Sequence, residues 1–292
     1  MTARPAIPRL LFVTDARRAK PPLIEVIAAA AAGGVDGVYL RDVALSPTEL
    51  GSLVAEIRAR GGPALTVLVN GGPGVALVAG AGLHLRERDM GASAARSALG
   101  EAALIGRAVH DTAGARAAAG ADYLLAGHVY PSASKPGQPP LGLAGLAAIV
   151  AAAPCPVLAI GGITPERVAA VIATGAAGIA VIGAIAEADD PRRAASNLRA
   201  ALDRALCESK RSKESSMSES TAAATAIDLT INGKTVTLPQ GTTIHDFLAS
   251  KRMTDAMAIV ERNGEIVSRA AYATVILQPD DELEIVHAVG GG

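Results

Sequence analysis

Through the first 206 residues one pattern of apolar and polar positions recurs: an Ala-rich helical stretch, a glycine, then a short apolar run. It appears as Gly33-Gly-Val-Asp-Gly-Val-Tyr-Leu40, Gly80-Ala-Gly-Leu-His-Leu85, Gly120-Ala-Asp-Tyr-Leu-Leu125 and Gly175-Ala-Ala-Gly-Ile-Ala-Val181. Each leading glycine suits the left-handed residue that ends a helix. With the intervening runs, strands are predicted at Leu10–Asp15, Gly37–Asp42, Ala64–Asn70, Gly82–Glu87, Leu104–His110, Tyr123–Tyr130, Pro156–Gly162 and Gly178–Ile185. A helical segment follows each, the last being Asp190–Leu206. Eight β-α units in this length predict an α/β fold of the (β/α)8 TIM barrel type. A doubly wound sheet would want a glycine-rich fingerprint after its first strand, and none is there.

The pattern breaks after Leu206. Residues 207–226 are rich in Ser, Lys and Glu with almost nothing to bury. They read as a flexible linker with an r.m.s. reach of roughly 25 Å. From Ile227 to Gly292 the periodicity changes to hairpin, helix, hairpin, strand. Asn232-Gly233 and Asn263-Gly264 mark the two turns, and Thr243 caps the helix from Ile244 to Ser250. A final alternating strand, Glu282 to Val289, leads into Gly290-Gly291-Gly292. This is a small α+β module near the lower size limit for independent folding.

Composition narrows the choices. Half of the 292 residues are hydrophobic, but only 2% are aromatic, and the formal net charge is −1. Buried strands of Val, Ile and Leu explain the first figure, and the charge gives no reason to expect nucleic acid or membrane binding. Residues 1–206 carry 19 basic and 16 acidic side chains, whereas 227–292 carry 5 and 9, so the second module is the acidic one. Two cysteines, Cys155 and Cys207, are too few for a disulfide framework and lack metal-ligand spacing. Together with the lack of a signal-peptide pattern this predicts a cytoplasmic protein.

Candidate chemistry lies at the C-terminal ends of the barrel strands, where that fold keeps its active sites. These ends offer Arg41-Asp42, Asn70, Arg86 to Asp89, His110, His128 with Lys135, the pair Gly161-Gly162, and Gly183-Ala184. Glycines after parallel strands let backbone N–H groups approach a phosphate. His128 is the candidate acid/base because Gly127 beside it is expected to leave room for a ligand. No cluster with metal-ligand spacing is present. In the second module, glycines at the tail would let a terminal carboxylate thread a narrow enzyme channel, the logic of a ubiquitin-like carrier.

Residues 8–206 resemble the thiamine phosphate synthase/TenI family. The resemblance rests on Tyr39-Leu-Arg-Asp42, Val69-Asn70, Ile105-Gly-Arg-Ala-Val-His110, Ala121-Asp-Tyr-Leu-Leu-Ala-Gly-His-Val-Tyr130 and Ala159-Ile-Gly-Gly-Ile-Thr-Pro165. Residues 227–292 resemble the sulfur carrier of thiamine biosynthesis, a β-grasp protein, in Ile231-Asn-Gly-Lys234, Ala258-Ile-Val-Glu-Arg-Asn-Gly264 and Glu284-Ile-Val-His-Ala-Val-Gly-Gly-Gly292. That second resemblance implies that a partner adenylyltransferase activates Gly292 with ATP. A thiocarboxylate formed there, beside Gly291, then gives its sulfur to thiazole synthase.

The first resemblance has two branches. The synthase pattern carries a Lys where this chain has Val43, an Asp where it has Gly71, and a Pro where it has His128. The pattern of the thiazole tautomerase branch has His at that last position. The expected activity is therefore a tautomerase that needs no cofactor and aromatises a carboxythiazole phosphate. His128 would move the proton, Arg41, Asn70 or Lys135 would contact the substrate, and Gly161, Gly162, Gly183 and Ala184 would hold its phosphate. The alternatives are a thiamine phosphate synthase, which would use Mg²⁺ and a pyrimidine pyrophosphate, and a silent barrel acting as scaffold for the carrier. A homodimer through the barrel is compatible with any of them.

Overall fold

The computed structural model describes residues 6–15, 18, 22–41, 45–132, 135, 137–222, 226–251 and 253–287, with backbone only over 212–222 and at 287. The chain divides into two compact units, 1–210 and 211–292. In the first, eight strands alternate with helices. They are β1 (Leu10–Val13), β2 (Gly37–Leu40), β3 (Thr66–Val69), β4 (Gly82–Leu85), β5 (Ile105–Val109), β6 (Tyr123–Gly127), β7 (Val157–Ile160) and β8 (Gly178–Val181). The helices between them are α1 (Leu23–Ala32), α2 (Pro47–Gly61), α3 (Pro73–Ala79), α4 (Ala92–Leu99), α5 (Thr112–Arg116), α6 (Gly142–Ala152) and α7 (Val168–Ala173). Two more, α8 (Gly183–Ala186) and α9 (Pro191–Ala222), follow β8. All neighbouring strands are parallel, and pairing of Leu10, Leu11 and Phe12 with Ile179, Ala180 and Val181 closes the barrel.

Two-residue alternation divides the core into two shells. Leu10, Phe12, Val38, Leu40, Leu83 and Leu85 face outwards and bury the helices' apolar stripes. Leu11, Val13, Tyr39, Leu68, Tyr123, Leu125 and Leu158 face inwards and fill the barrel. Two of the helices start at side-chain caps the sequence supplies. Ser46 and Glu49 form a reciprocal capping box at α2, and Asp111 accepts the Gly114 N–H at α5.

The eight strands lie inside the expected segments, most of which overran at the C-terminal end into loop residues. The expected linker is different. The helix starting at Pro191 runs to Ala222, through most of 207–226. That segment has little to bury, but it also contains neither glycine nor proline to stop a helix, and Ala, Glu, Lys and Arg favour its continuation.

The second unit forms a mixed sheet in the order β10-β9-β13-β11-β12. Its strands are β9 (Ala226–Ile231), β10 (Lys234–Pro239), β11 (Ala258–Arg262), β12 (Glu265–Ile266) and β13 (Glu282–His287), with helix α10 (Ile244–Ser250). Both hairpins turn on Asn-Gly with positive φ at each residue, 49° and 73° at 232–233, 52° and 84° at 263–264, as a two-residue type I′ turn requires. Phe247, Leu248, Val260, Tyr272 and Leu283 form the core. Asp281 is the polar anchor, accepting from Arg262 Nε (2.7 Å), the Gln278 N–H (2.8 Å) and Asn263 Nδ2 (2.9 Å). Desolvation alone would raise its pKa, but these three donors outweigh it and hold the carboxyl below the usual range. Among the described residues no helix is long and apolar enough to cross a membrane.

One ion pair ties the barrel wall together. Asp122, just before β6, accepts the Ile105 N–H at 2.7 Å and Arg96 Nη2 at 2.6 Å. Both side chains are largely buried, so an Asp122→Ala change leaves a guanidinium in low dielectric without this partner. Denaturant unfolding followed by circular dichroism should show a loss of about 3 kcal/mol. A loss below about 1 kcal/mol would class the pair with ordinary surface bridges.

Candidate active site

The C-terminal ends of the strands open into a cavity of about 1180 Å³. Strand parity builds its floor. Because Leu83 and Leu85 point at the helices, His84 between them points into the barrel, where it meets Tyr39 and Tyr123 from β2 and β6. The His84 ring lies 4.5 Å from that of Tyr39, and its Nδ1 is 3.0 Å from the Tyr123 hydroxyl. Burial pushes the His84 pKa down to about 3, so the ring is neutral at ordinary pH, and burial likewise holds the Tyr123 phenol well above its usual range.

One side of the mouth, above β4 to β6, is rich in charge. The loop after β4 carries Arg86, Glu87, Arg88 and Asp89, all lining the cavity. Asp89 closes this loop by accepting the Arg86 N–H at 2.8 Å and pairing with its guanidinium at 3.2 Å. Glu87 contacts His110 Nδ1 at 2.9 Å, and Lys135 Nζ lies 3.0 Å from His110 Nε2. Arg41, after β2, pairs with Asp15 at 3.2 Å.

The other side, above β7, β8 and β1, has a different build. Arg18 Nε donates to Glu187 at 2.6 Å, and a Cβ at Gly183 would come within 2.7 Å of the Arg18 guanidinium. Arg167 donates to the Gly162 carbonyl at 2.6 Å and lies over the Tyr130 ring, 4.6 Å from its centroid. Gly161 and Gly162 have φ of 105° and 64°. A Cβ on the first would collide with His128 and on the second would sit 2.8 Å from that of Tyr130. These glycines are therefore needed for loop packing as well as for any anion.

Of the residues singled out from the sequence, Arg41, His128, Lys135, Gly161, Gly162, Gly183 and Ala184 share this cavity. Asn70, at the end of β3, is not among its lining residues, and neither is Gly71. Asp42, Val43, Gly291 and Gly292 lie outside the described residues. Gly127 also lines the cavity, and packing demands glycine there as well, because a Cβ would strike the Ile160 carbonyl of the neighbouring strand. Sequence reasoning missed Arg18, beyond the end of β1, and Arg167, in the 3-10 turn Pro165–Arg167 that leads into α7. His84, lying within β4, was not among the strand-end candidates either, although the apolar residues on either side give away its inward parity.

The description "Thiamine monophosphate synthase" belongs to the family model that matches residues 10–185. The chain is a member of that family. Residues 224–292 match the ThiS family model, so the protein is a fusion of the two. A protein named thiamine-phosphate synthase from Mycobacterium tuberculosis is 44% identical over 216 residues, covering 68% of this chain and 97% of the relative. One from Haloquadratum walsbyi is 39% identical, covering 68% and 93%. The solved structure of a thiamine phosphate pyrophosphorylase from Pyrococcus furiosus superposes with a TM-score of 0.61 at 32% identity, covering 68% and 96%.

These relatives overturn the expected tautomerase, since the synthase family is one of transferases and not isomerases. The geometry explains the error. His128 Nε2 is directed at the Gln138 carbonyl, 3.3 Å away, and the residue is only 8% exposed. The choice between branches turned on single positions, whereas the cavity draws cations from several segments, Arg18, Arg86, Arg88 and Arg167 among them.

The buried His84 makes a pH prediction. Its pKa is lowered from 6.5 to about 3 in the folded barrel. Between these values the unfolded chain binds a proton that the folded chain excludes. This contribution to stability is therefore full above about pH 6.5 and is lost as pH falls towards 3. Stability measured across that window should decline with acid in the wild type and less steeply in His84→Gln; equal slopes would count against it.

Proposed function

We propose that the barrel is a thiamine phosphate synthase, joining a pyrimidine pyrophosphate to a thiazole phosphate with release of pyrophosphate. The observation that carries this reading is the placement of cations on two sides of one mouth, over a floor of Tyr39, His84 and Tyr123. Arg86, Arg88 and Lys135 stand above β4 to β6, and Arg18 and Arg167 stand near the glycines of β7 and β8. Two anionic substrates need two such grips.

In this reaction the bond between the pyrimidine methylene and the pyrophosphate oxygen breaks, both electrons leaving with pyrophosphate. The thiazole nitrogen forms the new bond to the same carbon. Charge grows on the departing group, so Lys135 and the arginines of the β4 loop stabilise that transition state more than the ground state. Gly161, Gly162, Gly183 and Ala184, with Arg18, would hold the thiazole phosphate, so that its nitrogen is presented in one orientation. Tyr39 and Leu125, which line the cavity, would help to keep water from the reactive carbon. No group of three His, Cys, Asp or Glu able to hold a metal occurs among the described residues. A magnesium ion is commonly held by one or two carboxylates together with phosphate oxygens and water, and Asp89 on the cavity wall fits such an ion arriving with the pyrophosphate. When bound, it would neutralise pyrophosphate charge.

The test is to supply both substrates with Mg²⁺ and follow thiamine phosphate and pyrophosphate. They should form in equal amounts, and Lys135→Ala should lower kcat about 100-fold. Failure to form either product would refute the synthase reading.

The ThiS-family unit implies sulfur-transfer partners. We infer that an adenylyltransferase uses ATP to activate Gly292, and that the resulting thiocarboxylate serves a thiazole synthase. Mass spectrometry after incubation with that enzyme, ATP and a sulfur source should show oxygen replaced by sulfur at the C-terminus. An unchanged mass with an active partner would contradict it.

A further inference from the structure

Three residues from three consecutive loops meet at the charged side of the mouth: Glu87 after β4, His110 after β5 and Lys135 after β6. We propose that His110 is a positioning residue that holds the Lys135 ammonium ready for an incoming diphosphate, and that Glu87 holds His110 in the tautomer this requires. The choice of a diphosphate rests on the synthase reading above; the holding of Lys135 rests on geometry alone.

An ammonium has only donors. Lys135 Nζ, 3.0 Å from His110 Nε2, therefore needs a lone pair on that nitrogen, which places the imidazole proton on Nδ1. There it meets the Glu87 carboxylate at 2.9 Å. Donor and acceptor alternate without conflict from ammonium to carboxylate. Which imidazole nitrogen carries the proton is commonly set in this way by the partner of the other. Glu87 is itself tied down, since Arg107 Nη2 donates to its backbone carbonyl at 3.0 Å and Nη1 to that of Met90 at 2.8 Å.

Stability does not account for the arrangement. The Glu87 and His110 side chains are 49% and 41% exposed, and exposed pairs contribute little to folding. All three residues line the cavity, so the effect falls on the ligand. A free lysine side chain must give up its rotamer freedom when it grips an anion, and a held one has already done so.

The test uses the full chain in two parallel measurements: calorimetric titration with inorganic pyrophosphate, and steady-state synthase kinetics. His110→Leu should weaken pyrophosphate binding about tenfold and raise KM for the pyrimidine pyrophosphate more than it lowers kcat. His110→Gln can accept from Lys135 and donate to Glu87 with one side chain, and should restore most of the affinity. In a Lys135→Ala background His110→Leu should change little, because the residue it positions is gone. An unchanged affinity in His110→Leu, or an equal loss with and without Lys135, would overturn the proposal. If the wild type makes no thiamine phosphate, the synthase reading fails and the titration still decides the role of His110.

Discussion

The structure depends on the alternation of side chains along eight parallel strands that close on themselves. Each strand contributes only four or five residues, so a single step of parity decides whether a side chain meets helices or the barrel interior. The same constraint selects glycine on β5. Gly106 pairs with Tyr123, and any Cβ there would enter the tyrosine ring. Tyr39, His84 and Tyr123 come from alternate strands and form one layer, as barrels of this kind are filled. Closure also brings every C-terminal strand end to one face, which is why residues far apart in sequence share one cavity.

Much of the fold was legible because it follows from local chemistry. Apolar runs, four of them led by glycine, located all eight barrel strands, and Asn-Gly with its tolerance of positive φ located both hairpins. Most strand ends were overrun because residues such as Asp15 and His110 follow the last ladder position, where the strands splay. The segment after Leu206 was misjudged for another reason. Low hydrophobicity says what a segment cannot bury, not what its backbone does, and nothing in 207–222 terminates the helix begun at Pro191.

The site was legible in part: Arg41, Lys135 and the glycines after β7 and β8 line the cavity as expected, Asn70 at the end of β3 does not, and Arg18 and Arg167 were missed. Reading the reaction failed through a related limit. It weighed three positions, 43, 71 and 128, against the pattern of a family. A cavity, however, sums the fields of all the charges that line it, and low-dielectric walls focus them. Cations on other loops can therefore supply what a comparison at a few positions counts as missing. Gly71 illustrates this: it lies off the cavity, with the Val75 side chain 3.3 Å from where its Cβ would be.

The glycines at the ends of β7 and β8 need the same care. They are suited to a phosphate, yet Gly161 and Gly162 are already required by His128, Tyr130 and Pro131 pressing against them. An alanine at either position would disturb the β6 loop, which also carries Lys135, and so would alter both sides of the mouth at once. Arg18 and Arg167 are better probes of the phosphate side. Each reaches the glycines through a side chain, so removing it changes local charge without forcing the loops apart. The two sides of the cavity thus differ in kind: one is shaped by backbone packing, the other by a chain of side-chain hydrogen bonds that can be altered one link at a time.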